Sequence, residues 1–154
     1  MGYVQHILQP GETVLQESRL HWCIYWRAVL FLIIACGIAA LYFLTADPTM
    51  QTAALIAGGV SLAVAILFAI GAAIRRHSTE LAVTDHRIIY KTGVFSRHTM
   101  EMNRTKVESV DVDQSFFGRI FGYGTILVRG TGGSLEPLPN IQDPLTLRSR
   151  ITVV

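Results

Sequence analysis

Residues 24–44 read IYWRAVLFLIIACGIAALYFL and residues 53–74 read AALIAGGVSLAVAILFAIGAAI, with Thr45-Ala46-Asp47-Pro48-Thr49-Met50-Gln51 between them. The two apolar runs hold 21 and 22 residues, and only Arg27 interrupts the first. A spanning helix needs about 20 residues to cross roughly 30 Å of hydrocarbon. Asp47-Pro48 is a turn and helix-start signal, and so short a connection allows only a tight antiparallel hairpin. Two buried helices of a soluble core would need far more amphipathic chain to cover them than this sequence holds. The stretch therefore predicts a transmembrane helical hairpin within residues 23–76.

Charge supports the same division. From Ala28 to Ile74 there is one charged residue, Asp47, and all the others lie in residues 1–27 and 75–154. The 154-residue chain is 51% hydrophobic and only 16% charged, where an ordinary soluble domain carries roughly 25% charged residues. This pattern argues against a soluble single-core protein, a disordered tail and a disulfide scaffold. It leaves a hairpin carrying a domain of about eighty residues, close to the lower limit for an independent core.

Arg19 and Arg27 flank the start of the first run, Arg75-Arg76 end the second, and the loop has no Lys or Arg. The positive-inside rule then puts both termini in the cytoplasm. Trp22, Tyr25 and Trp26 fall where an interfacial aromatic belt is expected, with Tyr42-Phe43 at the opposite face. Arg27 has the stem to snorkel back to the headgroups. The first apolar run starts too late and is too long for a signal peptide, so the N-terminus is expected to be retained. Cys23 and Cys36, thirteen positions apart along one run, cannot pair and form no zinc or redox motif.

The second run carries small residues at every fourth position: Ala53, Ala57, Ser61, Ala65, Ala69 and Ala73. Such rows let helices approach closely in lipid. Two readings stay open, packing on the first helix through Ala35 and Ala39, or a subunit interface. Ala57, Ser61, Ala65, Ala69 and Ala73 are the candidates for either.

After Arg76 the pattern turns to alternation. Leu81 and Val83, Arg87–Tyr90, Met100 and Met102, Val110 and Val112, and Gly124–Arg129 predict short strands, with turns at Lys91-Thr92-Gly93 and Gly130–Ser134. Val94-Phe95 opens a further run. Two prolines confine Leu135–Pro139 to an edge or terminal strand, and Asp143-Pro144 starts a short helix through Arg150. The expectation from the residues is five or six strands, with an extended Ile151–Val154 tail. Ser115–Gly122 breaks the alternation. Phe116 and Ile120, and Phe117 and Phe121, pair at i+4 between a Ser115 cap and a Gly122 stop. This aromatic turn either plugs an open end of a barrel, the favoured reading, or dips into the membrane interface beside Arg119.

The stretch Thr84-Asp85-His86-Arg87-Ile88-Ile89-Tyr90-Lys91-Thr92-Gly93-Val94-Phe95-Ser96-Arg97 resembles the type 2 bacterial pleckstrin-homology (PH) domain family of small membrane proteins. So do Asn103–Ser115 and Gly118–Gly124, and Leu8-Gln9-Pro10-Gly11-Glu12 is similar to the lead-in before that family's hairpin. The resemblance implies a strongly bent seven-stranded sheet closed by a C-terminal helix, and a bacterial inner-membrane setting. The expected fold is an α+β membrane protein: a transmembrane hairpin plus a small PH-like antiparallel β-barrel or sheet over residues 77–154. Residues 1–22, through Glu12–Arg19, are expected to supply a missing strand. The closing helix is expected to be short, leaving room for a neighbouring subunit to complete the barrel.

Chemistry-bearing motifs are not found. His6, His21, His77, His86 and His98 show no metal-ligand spacing, no Ser sits in GxSxG, and neither cysteine has a base nearby. Gly122-Tyr123-Gly124 lacks the further glycine and helix of a phosphate site. Asp111 and Asp113 read as solvent-exposed acids on one strand face. No catalytic residue, cofactor or metal is expected, and no nucleic-acid partner or small-molecule substrate. Residues 75–154 hold eleven Lys/Arg against eight Asp/Glu. Arg75, Arg76 and Arg119 are candidates for lipid headgroups, where each basic group gains about 1 kcal/mol from anionic lipid. Arg87, Lys91, Arg97, Arg104 and Lys106 would add to that surface only if they shared its face. Trp22, Trp26, Phe116, Phe117 and Phe121 are the interfacial aromatics. The expected function is a non-enzymatic platform for self-assembly or protein-partner binding, the partners being membrane lipids and a second copy or another membrane protein. The alternative is an anionic-lipid-responsive or transport accessory subunit.

Overall fold

The computed structural model describes residues 7–93, 98–132 and 135–152. His6, Val94-Phe95, Arg97, Gly133-Ser134 and Val153-Val154, on which some expectations fall, lie outside them. The chain divides into two compact units, Cys23–Ile74 and the segments on either side of it.

A 3₁₀ turn that begins at Trp22 leads into helix α1 (Trp26–Leu44), and helix α2 (Pro48–Ser78) follows, its last turn from Arg75 onward belonging to the second unit. Asp47 accepts the Thr49 N–H at 2.9 Å, so the predicted turn is also the cap of α2. The Thr45 hydroxyl donates to Leu41 O at 2.8 Å and closes the last turn of α1. Small residues bring the helices together. Ala28 and Ala35 are buried on α1, and Ser61, Ala65 and Ala72 on α2. Gly58 lies against Ile38, and Phe31 stacks on Phe68 at 5.5 Å.

The seam on α2 therefore runs through 58, 61, 65, 68 and 72, alternating three and four. An i+4 row drifts about 40° per step on a helix of 3.6 residues per turn, whereas a 3.5 spacing keeps facing its partner. The small-residue row accordingly divides. Ser61 and Ala65 lie in the seam, Ala69 and Ala73 are half-buried beside it, and Ala57 is exposed. On α1, Ala35 is a contact and Ala39 is exposed.

Among the described residues the second unit holds seven antiparallel strands, two more than the minimum read from the residues. Strands β1 (Val14–Ser18), β2 (Glu80–Thr84), β3 (Arg87–Thr92) and β4 (His98–Asn103) form one sheet in that order. Strands β5 (Val107–Asp113), β6 (Tyr123–Gly130) and β7 (Leu135–Gln142) form the other. Helix α3 (Phe116–Phe121) joins β5 to β6, and helix α4 (Pro144–Thr152) ends the described chain.

Of the barrel or sheet expected, the described residues form sheets, two of them, which pairing does not close into a cylinder. At one corner Leu20 bridges Ile141, His21 N–H donates to Asn140 O at 2.8 Å, and Gln142 N–H donates to Arg19 O at 3.2 Å. At the other corner the 3₁₀ turn Arg104–Lys106 turns the chain from β4 to β5, and no pairing joins them among the described residues. Leu135–Gln142 is the outer strand of its sheet, where its prolines fit.

Leu81, Val83, Ile88, Ile126, Val128, Leu138, Ile141 and Leu147 are fully buried. β2 and β3 are buried on both faces, because Ile7 and Val14 pack on Ala82 and Ile89 from outside. α4 runs through Thr152 with Ile151 buried, which corrects the extended tail expected from Ile151 onward. Its last turn is held by Arg104, which donates to Arg150 O at 3.1 Å and Ile151 O at 3.3 Å. A guanidinium at a helix C-terminus also opposes the dipole there.

Candidate functional site

Two places in the PH-like unit concentrate unusual side chains, and the first is structural. Glu12 turns back on Gln9, whose N–H donates to Oε2 at 2.9 Å. Its carboxylate, 3% exposed, takes a bidentate pair from Arg87: Nε to Oε1 at 3.0 Å and Nη2 to Oε2 at 2.9 Å. The Thr84 hydroxyl donates to Oε1 at 2.7 Å and accepts the Arg87 N–H at 3.0 Å. Arg87 also reaches Ile7 O at 2.9 Å and the outer carboxylate of Glu101 at 2.7 Å. Its hydrogen bonds from Arg87 hold Glu12 well below the usual carboxylate range, at about 2, against the opposing effect of burial. The lead-in is thus latched across the β2–β3 turn. Arg87 and Arg104 are fixed inside the fold, so neither belongs to a cationic surface for lipid.

The second place is aromatic. Gly118 on α3 is buried, and a Cβ added there would meet Tyr123 O at 2.6 Å. Ser115 accepts the Gly118 N–H at 3.1 Å, and Gly122 ends the turn at φ +73. The glycine side thus backs onto the domain. At about 100° per residue, Phe116, Phe117, Ile120 and Phe121 then span a continuous arc on the other side. All four are exposed, Phe116 by 74%. This corrects the favoured reading of α3 as a plug: the backbone contact that anchors the turn points its rings away from the sheets.

Gly118→Ala is expected to cost about 1–3 kcal/mol, because the clash is with backbone and cannot be relieved by a rotamer. Thermal unfolding reads that loss, and an unchanged midpoint would contradict the close approach. Trp22 extends the arc, edge-to-face with Phe121 at 5.8 Å. Behind it the His21 ring stacks on Tyr123 at 5.1 Å. Burial first, and then the nearby Arg76 charge, push the His21 pKa down.

The family model of the bacterial PH domain matches residues 27–152, which takes in both the helical pair and six of the seven strands. The chain belongs to that family. No curated protein and no solved structure matches it.

As a bacterial PH domain the chain carries a fold whose ordinary business is binding, and fold alone does not name the ligand. The match begins after β1, so that strand and Glu12 lie before it, while their partners Thr84 and Arg87 lie within it. No cluster of three or more His, Cys, Asp or Glu with metal-site geometry occurs among the described residues.

The structure separates the proposed site residues into groups. Trp22, Phe121 and Phe116–Phe117 come together through α3. Arg119 is exposed on the same turn, Arg75 is exposed, and Arg76 is half-buried. Trp26 is exposed in the other unit, with Arg27 stacked over it at 5.4 Å and over Phe68 at 5.9 Å. α1 and α2 are long and apolar enough to cross a membrane, and only 11% of each apolar window is buried within the chain.

Residue reasoning missed Glu12, Thr84 and Arg87 as one network. The signal was a lone acid in an apolar lead-in, and nothing local ties it to an arginine 75 positions away.

Proposed function

We propose that this bacterial PH domain protein crosses the cytoplasmic membrane twice and displays its PH-like unit at the inner leaflet. There it serves as a non-enzymatic platform for self-assembly or for a protein partner. The observation that carries the reading is the exposure of the hairpin. Phe43 is 83% exposed, and Leu44, Leu67, Ile56 and Ile33 are exposed with it. Burying each such side chain is worth about 1.5–3 kcal/mol, and a bilayer supplies the cover that the chain does not.

Polar groups in the hairpin support the same reading. Ser61 donates to Phe31 O at 3.0 Å, so the polar side chain deep in α2 is satisfied by α1 rather than offered to a pore. Arg19, Arg27, Arg75 and Arg76 against Asp47 support an orientation with both termini on the cytoplasmic side, by the positive-inside rule. Among the described residues β4 is a sheet edge, and such an edge is a template for a partner's strand.

Native mass spectrometry of the protein extracted gently from its own membrane tests the platform. A multiple of the 17.0 kDa chain supports self-assembly, and a chain with a second polypeptide supports a partner. A bare monomer, with or without lipid, overturns both and leaves the lipid-responsive alternative. The seam also selects the helix mutation for that experiment. Ala65→Leu overfills the hairpin itself, so Ala57→Leu, on the exposed face, is the probe of an assembly. If subunits pack through that face, Ala57→Leu shifts the mass distribution toward the monomer while thermal stability stays within about 0.5 kcal/mol. An unchanged distribution removes this face as the interface.

A further inference from the structure

We propose that the outward arc of α3, together with Trp22, seats the PH-like unit in the headgroup layer of the cytoplasmic leaflet, with Arg76 and Arg119 as a cationic rim for anionic lipid. The inference rests on the membrane reading above and adds to it which face of the domain meets the lipid. Three observations carry it.

Trp22 is bonded directly to Cys23, where the hairpin unit begins, so its backbone stands where the chain enters the bilayer. The headgroup layer on each side is roughly 5–8 Å thick. Phe121 meets Trp22 edge-to-face with 5.8 Å between ring centroids, so the α3 arc adjoins the residue from which the hairpin departs.

The second observation is directional. Gly118 presses on Tyr123 O, and Phe116, Phe117, Ile120 and Phe121 are left exposed on the far side. Aromatic rings on a short rigid turn suit the interface, where bulky apolar groups sit about 5–10 Å into the headgroup and acyl boundary.

The third is charge. Arg119 stands on the same turn, at about 60° from Phe116 around the helix. Arg76 is half-buried in the same unit and, after burial, its charge is the second cause that lowers the His21 pKa. The His21 ring lies against Trp22 at 5.2 Å. Cations bordering an apolar arc match a leaflet of anionic lipid rather than a second copy of the same cationic patch. Asp143, whose carboxylate also faces this corner, lies behind the arc beside Gly122.

The test is depth-dependent fluorescence quenching. The chain has two tryptophans, Trp22 and Trp26. The full-length protein carrying W22F, W26F and F117W is reconstituted into vesicles of phosphatidylcholine and phosphatidylglycerol, with the phosphatidylcholine brominated high on the acyl chains. Strong quenching of the tryptophan at position 117, with blue-shifted emission and protection from iodide, is the expected result. W22F alone leaves Trp26, inside the apolar run, as the control for the hairpin.

If Trp26 is quenched while position 117 stays open to iodide, the seating proposal falls and the membrane reading stands. If neither is quenched, both fall. Blue-shifted emission at position 117 without bromine quenching means that protein covers the arc, and that also overturns lipid as its occupant. I120W in place of F117W repeats the measurement three residues along the same arc, should F117W fail to fold. The rim is read separately: R76Q with R119Q is expected to make quenching at position 117 insensitive to phosphatidylglycerol, and an undiminished dependence removes those two cations from the site.

Discussion

Arg87→Met is expected to destabilise the PH-like unit by about 3–5 kcal/mol, the cost of stripping one partner from a buried ion pair. The carboxylate of Glu12 stays buried and keeps only its bonds from Thr84 and the Gln9 N–H. For a domain of this size a loss of 3 kcal/mol lowers the unfolding midpoint by more than about 10 °C. Differential scanning calorimetry in mild detergent measures it, and a midpoint within about 2 °C of the parent would show that the latch contributes nothing.

The pH dependence gives the same prediction a sign. Glu12 titrates at about 2 in the folded chain against 4.5 for the free group. Between those values the unfolded chain binds the proton and the folded chain does not, so stability rises with pH. The contribution is complete above pH 4.5 and is lost as pH falls toward 2. Glu12→Gln removes that slope. Arg87→Met makes the gap to the parent narrow on acidification, because protonating Glu12 relieves its isolated charge. A gap that stays constant from pH 6 to pH 3 would assign the loss to packing alone.

The latch also marks where residue reasoning stopped. Run lengths, Asp47-Pro48, the Ser115 cap, the Gly122 stop and the Pro137–Pro139 edge are local, and each is decided by a few neighbouring residues. Pairing Glu12 with Arg87 requires the chain to leave the domain, form a hairpin of fifty residues and return, and no local rule carries that. The double burial of β2 and β3 did have a signal, the adjacent Ile88-Ile89. Consecutive apolar residues belong to a strand covered on both sides, whereas one-sided burial alternates. The α3 reading failed for a different reason. Aromatic i+4 pairs between two caps suggest a plug for an open barrel end, while the decisive residue is Gly118, whose missing side chain sets which way the rings face.

The expectation of self-assembly rested on a small-residue row and on a closing helix too short to finish the fold. Part of the row now lies in the hairpin's own seam. The helix is the subject of the second large prediction. Leu147→Ala is expected to cost about 2–5 kcal/mol, since Leu147 is 0% exposed between the two sheets and its removal leaves a cavity that Pro144 and Ile151 are too fixed to fill. Leu145→Ala, two positions earlier and 59% exposed, is expected to change stability by under about 0.5 kcal/mol.

Equal losses for the two variants would mean that helix propensity rather than core packing is measured. The pair also separates a self-contained domain from one completed by a neighbour. If α4 from the same chain closes the sheets, the Leu147→Ala midpoint does not depend on protein concentration. If a second copy supplies the missing cover, dilution lowers the parent's midpoint and the variant's further still. Nine residues of helix suffice here because Arg104 holds the carbonyls of the last turn while Leu147 and Ile151 anchor it in the core, so any assembly must be built on faces the domain does not need for itself.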